Sequence, residues 1–123
     1  MKKILIIDDE SIITRALKRT IEQFVTHPPV ETFIEKDGKR GWEAILEKKP
    51  DLILMDLMMP ELTGIEILEK MKQKAIFTPV IFMTAYGDKE TETKIKNLGI
   101  KIYLSKPFQD IQKVASIISE SLK

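Results

Sequence analysis

The 123-residue sequence contains no cysteine, which excludes both a disulfide framework and a thiolate-bound metal site. Its 20 basic and 19 acidic residues leave a net charge of +1, so the chain has neither the basic excess of nucleic-acid-binding domains nor an acidic tail. No apolar run approaches the roughly 18–20 residues of a membrane span. Composition therefore predicts one cytoplasmic domain over residues 1–123 that contacts neither a membrane nor nucleic acid directly.

Short, continuous apolar runs recur along the chain and predict strands buried on both faces. These runs are residues 4–7, 52–55 and 80–83; residues 100–104 are predicted as the fifth strand, and a less regular segment, 30–35, fits a strand at a sheet edge. The first run is too short for a signal peptide. Apolar residues at helical spacing predict a helix after every strand, and strict alternation of strand and helix predicts an α/β fold with a doubly wound parallel sheet.

The helix boundaries are predicted from capping residues. Ser11 is the expected N-cap of the first helix, Pro60 is expected in the first turn of the third, and Gly99 is the expected C-cap of the fourth. The third and fourth helices are predicted over residues 61–74 and 88–98. The predicted apolar stripe of the first helix is Ile12, Ile13, Ala16, Leu17, Ile21 and Phe24.

Charged and hydroxyl side chains follow four of the five predicted strands. In a parallel sheet the carboxyl ends of the strands meet at one edge, where ligands bind. Carboxylates brought within about 4–6 Å of one another raise each other's pKa, and a hard divalent cation such as Mg²⁺ removes that conflict. An ammonium and a hydroxyl at the same edge suit phosphoryl oxygens. The residues concerned are Asp8, Asp9 and Glu10, then Asp56, Thr84 and Lys106.

Each of these residues also has an ordinary structural interpretation. Asp8 and Asp9 fit a solvated pair at a helix start, Asp56 a loop acid, Thr84 a capping residue and Lys106 a surface lysine. Their shared position at the ends of predicted strands favours one common site over separate roles.

Taken together and in order, these segments resemble the response-regulator receiver domain of two-component signalling over the full length of the chain. The matching segments are Ile6-Ile7-Asp8-Asp9-Glu10, Asp51-Leu52 through Asp56 with Met59-Pro60, Gly64, Thr84-Ala85, and Tyr103-Leu104-Ser105-Lys106-Pro107-Phe108. The resemblance implies a flavodoxin-like (βα)5 fold with strand order 2-1-3-4-5. It also implies that Asp56 accepts a phosphoryl group from a histidine kinase or a histidine phosphotransfer protein.

The resemblance further implies a metal site. Asp9 and Asp56 bind Mg²⁺ directly together with the backbone carbonyl of Met58, Asp8 acts through water, and Mn²⁺ could substitute for Mg²⁺. Lys106 pairs with Asp56 and then with the phosphoryl group.

The resemblance implies a switch as well. Thr84 turns toward the phosphoryl group and Tyr103 is an aromatic rotamer switch, so that the fourth helix, fifth strand and fifth helix form the readout surface. The expected partner is a downstream protein target or an output domain, and the protein is a monomer or a phosphorylation-dependent dimer. The sequence ends with the fifth helix, so we expect a stand-alone receiver or a piece of a longer regulator.

Three other functions share part of this sequence pattern. A haloacid-dehalogenase-like phosphatase needs a second Asp two residues after its nucleophile, where this chain has Met58. A flavodoxin-like FMN protein needs a hydroxyl-rich phosphate loop after the first strand, where residues 8–10 are acidic. The third possibility is a receiver that works by protein contacts without phosphorylation. The presence of the acids together with Thr84 and Lys106 argues against this function, which stays as the alternative. The expected protein is a regulator and not a turnover enzyme.

Met58 and Tyr86 lie two residues after Asp56 and Thr84, at positions that receiver domains use to tune loss of the phosphoryl group. Bulky side chains there shield an acyl phosphate from water, so we expect slow self-dephosphorylation. Replacing Tyr86 with a small residue, as in Tyr86→Ala, should shorten the lifetime of the phosphorylated protein, measured as the rate of phosphate release. An unchanged lifetime would contradict this role.

Overall fold

The computed structural model describes residues 1–26, 29–57, 59, 61–84, 89–100, 103–106 and 110–123. Within these segments five strands alternate with five helices. The elements are β1 (Lys2–Ile7), α1 (Ser11–Phe24), β2 (Val30–Glu35), α2 (Gly38–Lys48), β3 (Leu52–Asp56), α3 (Gly64–Gln73), β4 (Val80–Thr84), α4 (Lys89–Asn97), β5 (Tyr103–Ser105) and α5 (Ile111–Ser121). None of the helices in the described part of the chain is long and apolar enough to cross a membrane.

All strand pairs are parallel, and the sheet order is β2-β1-β3-β4-β5. The predicted doubly wound α/β fold and its order 2-1-3-4-5 are therefore confirmed. β2 lies at an edge of the sheet, as its less regular apolar pattern predicts.

Two apolar clusters cover the two faces of the sheet, and β1 contributes alternate residues to both. Ile4 and Ile6 pack in the cluster beneath α1 and α5, whereas Leu5 and Ile7 pack in the cluster beneath α2, α3 and α4. All four side chains are fully buried. A strand covered on both faces has no solvent side, which is why its sequence is continuously apolar and does not alternate.

Helix α1 begins one residue earlier than its predicted cap implies. Ser11 is the first helical residue, and Glu10 occupies the N-cap position, where its side chain makes no capping hydrogen bond. The Glu10 carbonyl accepts the N–H of Thr14 at 3.1 Å and so starts the helical ladder. The prediction of Ser11 as N-cap is wrong, because the turn after β1 places Glu10 at the helix boundary.

The buried face of α1 is only partly the predicted apolar stripe. Leu17 and Ile21 are buried as expected, but the buried face also takes in Thr14 and Thr20. Thr14 tolerates burial because its hydroxyl donates to the carbonyl of Ser11 at 3.0 Å. The stripe residues on the exposed side are Ile12, Ala16 and Phe24.

Helix α3 begins later than the sequence predicts. Its N-cap is Thr63, which forms a reciprocal capping box with Glu66, so Gly64 is the first helical residue. Pro60 itself lies outside the described residues, but the helix start at Gly64 rules out the predicted start just after it. The capping box sets the boundary because it satisfies the free N–H groups of the first turn.

Gly99 ends α4 as predicted. Its backbone has a φ of +79°, its N–H donates to Lys96, and the N–H of Ile100 donates to Ile95 at 3.2 Å. These two bonds form a Schellman motif. Ile100 therefore belongs to the helix cap and not to β5, which begins at Tyr103 in the described residues, so the predicted start of that strand is wrong.

Gly38 is a point of close contact between α2 and the loop that follows β3. A Cβ added at Gly38 would overlap the carbonyl oxygen of Leu62, a backbone atom. Alanine is the better helix former by up to ~1 kcal/mol, but the overlap outweighs that gain because the loop must move.

We expect Gly38→Ala to lower the free energy of unfolding by about 2 kcal/mol, as is typical of overpacking, in urea denaturation. Lys39→Ala, an exposed change in the same helical turn, should stay within about 0.5 kcal/mol of the wild type. A Gly38→Ala protein as stable as the Lys39→Ala control would show that the loop yields without cost.

Candidate functional site

The register of the sheet places two acids side by side at the carboxyl ends of β1 and β3. Ile7 of β1 pairs with Met55 of β3, and Asp8 and Asp56 each come one residue later. Asp8 is 0% exposed and Asp56 is 7% exposed. Both carboxylates are thus held in the protein interior at the edge of the sheet.

Asp9 and Glu10 join these two acids from the turn after β1. The N–H of Glu10 donates to Oδ1 of Asp8 at 2.9 Å and so fixes the turn. Carboxylate oxygens of Asp8, Asp9, Glu10 and Asp56 all lie within 4.8 Å of one another. We call these residues the acidic cluster.

Lys106, just after the edge strand β5, brings a positive charge into the acidic cluster. Its N–H donates to the carbonyl of Thr84 at 2.8 Å, which places it directly after β5. Its ammonium Nζ lies 2.6 Å from Asp8 Oδ2, 2.9 Å from Glu10 Oε1 and 3.0 Å from Asp56 Oδ2. The lysine side chain is only 6% exposed.

Burial and charge act in opposite directions on these groups. Burial raises the pKa of Asp8 above its ordinary value, against the opposing effects of the Lys106 ammonium and the Glu10 N–H. Burial would lower the pKa of Lys106, but its contacts with Asp8, Glu10 and Asp56 outweigh this and raise it. The ammonium therefore stays charged at neutral pH.

The backbone that directly follows Asp56 is fixed by the start of α3. The N–H of Gly64 donates to the carbonyl of Leu57 at 3.1 Å. A Cβ at Gly64 would lie 2.5 Å from the carbonyl oxygen of Asp56 and 2.9 Å from the ring of Phe82. A glycine at this position lets the helix approach Asp56 closely, which explains why the sequence has no side chain there.

The acidic cluster has the donor chemistry of a site for a hard divalent cation. It offers carboxylate oxygens, the ligands that Mg²⁺ takes, and four carboxylates against one ammonium leave a formal charge of −3. Asp8 Oδ2 is buried and, among the residues that the structure describes, receives no well-aligned hydrogen bond, since its short contact with Lys106 is an ion pair only. These residues therefore fit Mg²⁺.

Four of the eight predicted site residues lie close together in the structure. Asp8, Asp9, Asp56 and Lys106 meet at one edge of the sheet. Thr84 is buried at the end of β4, and its carbonyl accepts the backbone N–H of Lys106. Tyr103 is half-buried on β5. Met58 and Tyr86 lie outside the described residues.

Two contacts of Lys106 are absent from the sequence prediction, which pairs it with Asp56 alone. Lys106 also contacts Asp8 and Glu10. Glu10 is recognisable in the sequence only as the third acid of a run of acids, and nothing in that run specifies a partner 96 residues away.

The sequence matches the family described as the response regulator receiver domain over residues 4–118. The chain belongs to this family. As a receiver domain it is a signalling domain of response regulators and not a turnover enzyme.

Two relatives and one solved structure illustrate the match. The receiver domain is 37% identical over 123 residues to response regulator ArlR of Staphylococcus saprophyticus, covering all of this chain and 53% of that protein. It is 31% identical to sporulation initiation phosphotransferase F of Bacillus subtilis, covering 98% of this chain and 94% of that one. The receiver domain of Francisella response regulator 1452 superposes with a TM-score of 0.84 at 30% identity, over 99% of this chain and 97% of that one. The chain thus spans about half the length of ArlR.

We expect Lys106→Met to lower the free energy of unfolding by about 3 kcal/mol in metal-free buffer, because Asp8 and Asp56 are then left buried without their counterion. Urea denaturation measures this. Lys123→Met is the matched control, since Lys123 pairs with Glu120 at 3.0 Å on a surface where both side chains are 70% exposed, and its removal should change stability by less than about 1 kcal/mol.

Mg²⁺ provides a second arm of the same experiment. The ion should raise the melting temperature of Lys106→Met more than that of the wild type, because the variant has no ammonium competing for the Asp8 carboxylate. Equal shifts in the two proteins would contradict competition between the lysine and the ion.

Proposed function

We propose that this receiver domain accepts a phosphoryl group on Asp56 from a phosphohistidine of a histidine kinase or a histidine phosphotransfer protein. The observation that carries the proposal is the position of the Asp56 carboxylate. It lies at the carboxyl end of β3, 3.0 Å from the Lys106 ammonium and within 4.8 Å of three further acids. A nucleophilic oxygen beside a fixed cation is what phosphoryl transfer requires of a protein.

The chemical step is an in-line displacement at phosphorus. An oxygen of Asp56 forms the new P–O bond as the P–N bond of the phosphohistidine breaks. The electron pair of that bond stays on the imidazole nitrogen, which takes a proton from water, and the product is an acyl phosphate on Asp56. Lys106 would donate a charge-assisted hydrogen bond to a phosphoryl oxygen.

The metal assignment belongs to the same proposal. Asp9 and Asp56 would hold Mg²⁺ together with the backbone carbonyl of Met58, and Asp8 would act through water; Mn²⁺ could substitute. When bound, the ion supplies positive charge for the phosphoryl oxygens. The burial of Asp8 and Asp56 supports this assignment because buried carboxylates interact strongly with a nearby cation.

We further propose that Thr84 and Tyr103 report the phosphoryl group to a readout surface on α4, β5 and α5. Two observations support this. Thr84 ends β4 in register with Ser105, and its carbonyl holds the backbone of Lys106. Among residues 93–97 of α4, for which side chains are described, Ile95 is the one buried residue.

The remaining proposals concern context. We propose that residues 1–123 act as one receiver domain in the cytoplasm that signals to a downstream protein target or an output domain, without direct contact to nucleic acid or membrane. The longer ArlR relative supports an output domain in a longer regulator, whereas the Bacillus phosphotransferase supports a stand-alone relay. Monomer and phosphorylation-dependent dimer are both compatible with this role.

Incubation with acetyl phosphate and Mg²⁺, read by intact mass, tests the phosphorylation. The wild type should gain a phosphoryl mass and Asp56→Asn should not, because an amide lacks the nucleophilic oxygen. Asp51→Asn is the matched control: Asp51 is an acid just before β3 whose side chain is 40% exposed, and this variant should still gain the mass.

Uptake of the phosphoryl group by Asp56→Asn would place the acceptor elsewhere. No uptake by the wild type would favour the alternative, a receiver that works through protein contacts without phosphorylation.

A further inference from the structure

We propose that Glu10 is a positioning residue that holds the Lys106 ammonium in the unphosphorylated protein, and that Lys106 exchanges Glu10 for a phosphoryl oxygen when Asp56 is modified. The inference rests on the proposed phosphorylation of Asp56. It assigns a role to an acid that belongs neither to the expected metal ligands nor to the acceptor.

The three partners of the ammonium differ sharply in burial. Asp8 is wholly buried and the side chain of Asp56 is 10% exposed, whereas that of Glu10 is 55% exposed. The hydrogen bonds to Glu10 and Asp56 measure 2.9 and 3.0 Å, so Glu10 is bound as closely as the acceptor residue. Lys106 is thus contacted by carboxylates on three sides before any phosphoryl group arrives.

Burial decides which partner the lysine gives up. A buried carboxylate that loses the ammonium cannot be hydrated in its place, so its charge stays unpaired in the interior, which costs free energy. A half-exposed carboxylate that is released becomes hydrated, and the loss is small. Because a phosphoryl group on Asp56 brings new acceptor oxygens to the ammonium, Glu10 is the partner whose release costs least.

The local structure around Glu10 supports a role beyond the stability of α1. Glu10 occupies the N-cap position, where Ser, Thr, Asp or Asn would bond the first turn of the helix, yet its side chain makes no capping bond. Its N–H is fixed by Asp8 and its carbonyl by Thr14. The backbone N–H is thus held by the residue before the turn and the carbonyl by the first turn of α1, while the side chain contacts Lys106.

If Lys106 exchanges Glu10 for a phosphoryl oxygen, weakening the contact between Glu10 and Lys106 should favour the phosphorylated state. At saturating Mg²⁺, Glu10→Ala should be phosphorylated by acetyl phosphate about two- to fivefold faster than the wild type, the range that loss of a half-exposed ion pair supports. Affinity for beryllofluoride, a phosphoryl mimic, should rise by a similar factor. Glu10→Gln should fall between the two, because the amide oxygen still accepts a hydrogen bond from Lys106 but carries no charge.

The order of the phosphorylation rates, Glu10→Ala above Glu10→Gln above the wild type, distinguishes this role from simple repulsion between Glu10 and an anionic phosphodonor. Repulsion alone predicts equal rates for Glu10→Gln and Glu10→Ala, and a similar gain for Glu35→Gln. Glu35 lies at the neighbouring end of β2, where its carbonyl accepts the N–H of Asp8, and its carboxylate is not among the three that contact Lys106. Glu35→Gln should therefore leave the rate near that of the wild type.

Stability provides a further control. Glu10→Ser supplies a good N-cap, so it should unfold at a urea concentration at least as high as the wild type and still be phosphorylated faster. A wild-type or lower rate for both Glu10→Ala and Glu10→Ser, or equal rates for Glu10→Gln, Glu10→Ala and Glu35→Gln, would overturn the exchange. If the wild type is phosphorylated on Asp56, such a result removes the role of Glu10 alone; if it takes up no phosphoryl group, both proposals fall together.

Discussion

Repulsion between carboxylates at the ends of β1 and β3 is the constraint on which the site depends. Asp8 directly follows β1 and Asp56 is the last residue of β3, and both strands are buried on both faces and paired in fixed register, so the two acids are held side by side. One ammonium, delivered by Lys106 from beyond β5, offsets part of that repulsion. The sheet must therefore be assembled as far as β5 before the acids at its centre acquire their counterion.

Buried ion pairs such as those of Lys106 often stabilise a protein less than well-packed apolar residues of similar volume. Burial raises the pKa of Asp8 even with the Lys106 ammonium close by, which means that the ionised acid lowers the stability of the folded state. Glu10, at the start of α1, contacts Lys106 and leaves the helix without a side-chain cap. Both features lower stability locally, and the two apolar clusters on either side of the sheet offset that loss.

Packing is uneven across the molecule in a way that suits signalling. The apolar residues of β1 and β3 are fully buried, whereas β5 has three residues and Ile95 is the buried residue among the described side chains of α4. Elements with few buried contacts open and shift at lower cost than core strands.

The sequence by itself determined the strands, their alternation with helices and the acids at the strand ends. Short, continuous apolar runs such as residues 4–7 and 52–55 are typical of strands covered on both faces, and ligands of a parallel sheet bind at the carboxyl ends of its strands. The buried face of α1 and the contacts of Lys106 were decided by the tertiary structure, because the first depends on the sheet beneath the helix and the bond between Glu10 and Lys106 joins two segments 96 residues apart. The start of α3 is different, since its capping box lies within residues 63–66 and is a local pattern of the sequence. Local patterns specify what each segment can form, but the partner of a charged side chain is fixed only when distant segments meet.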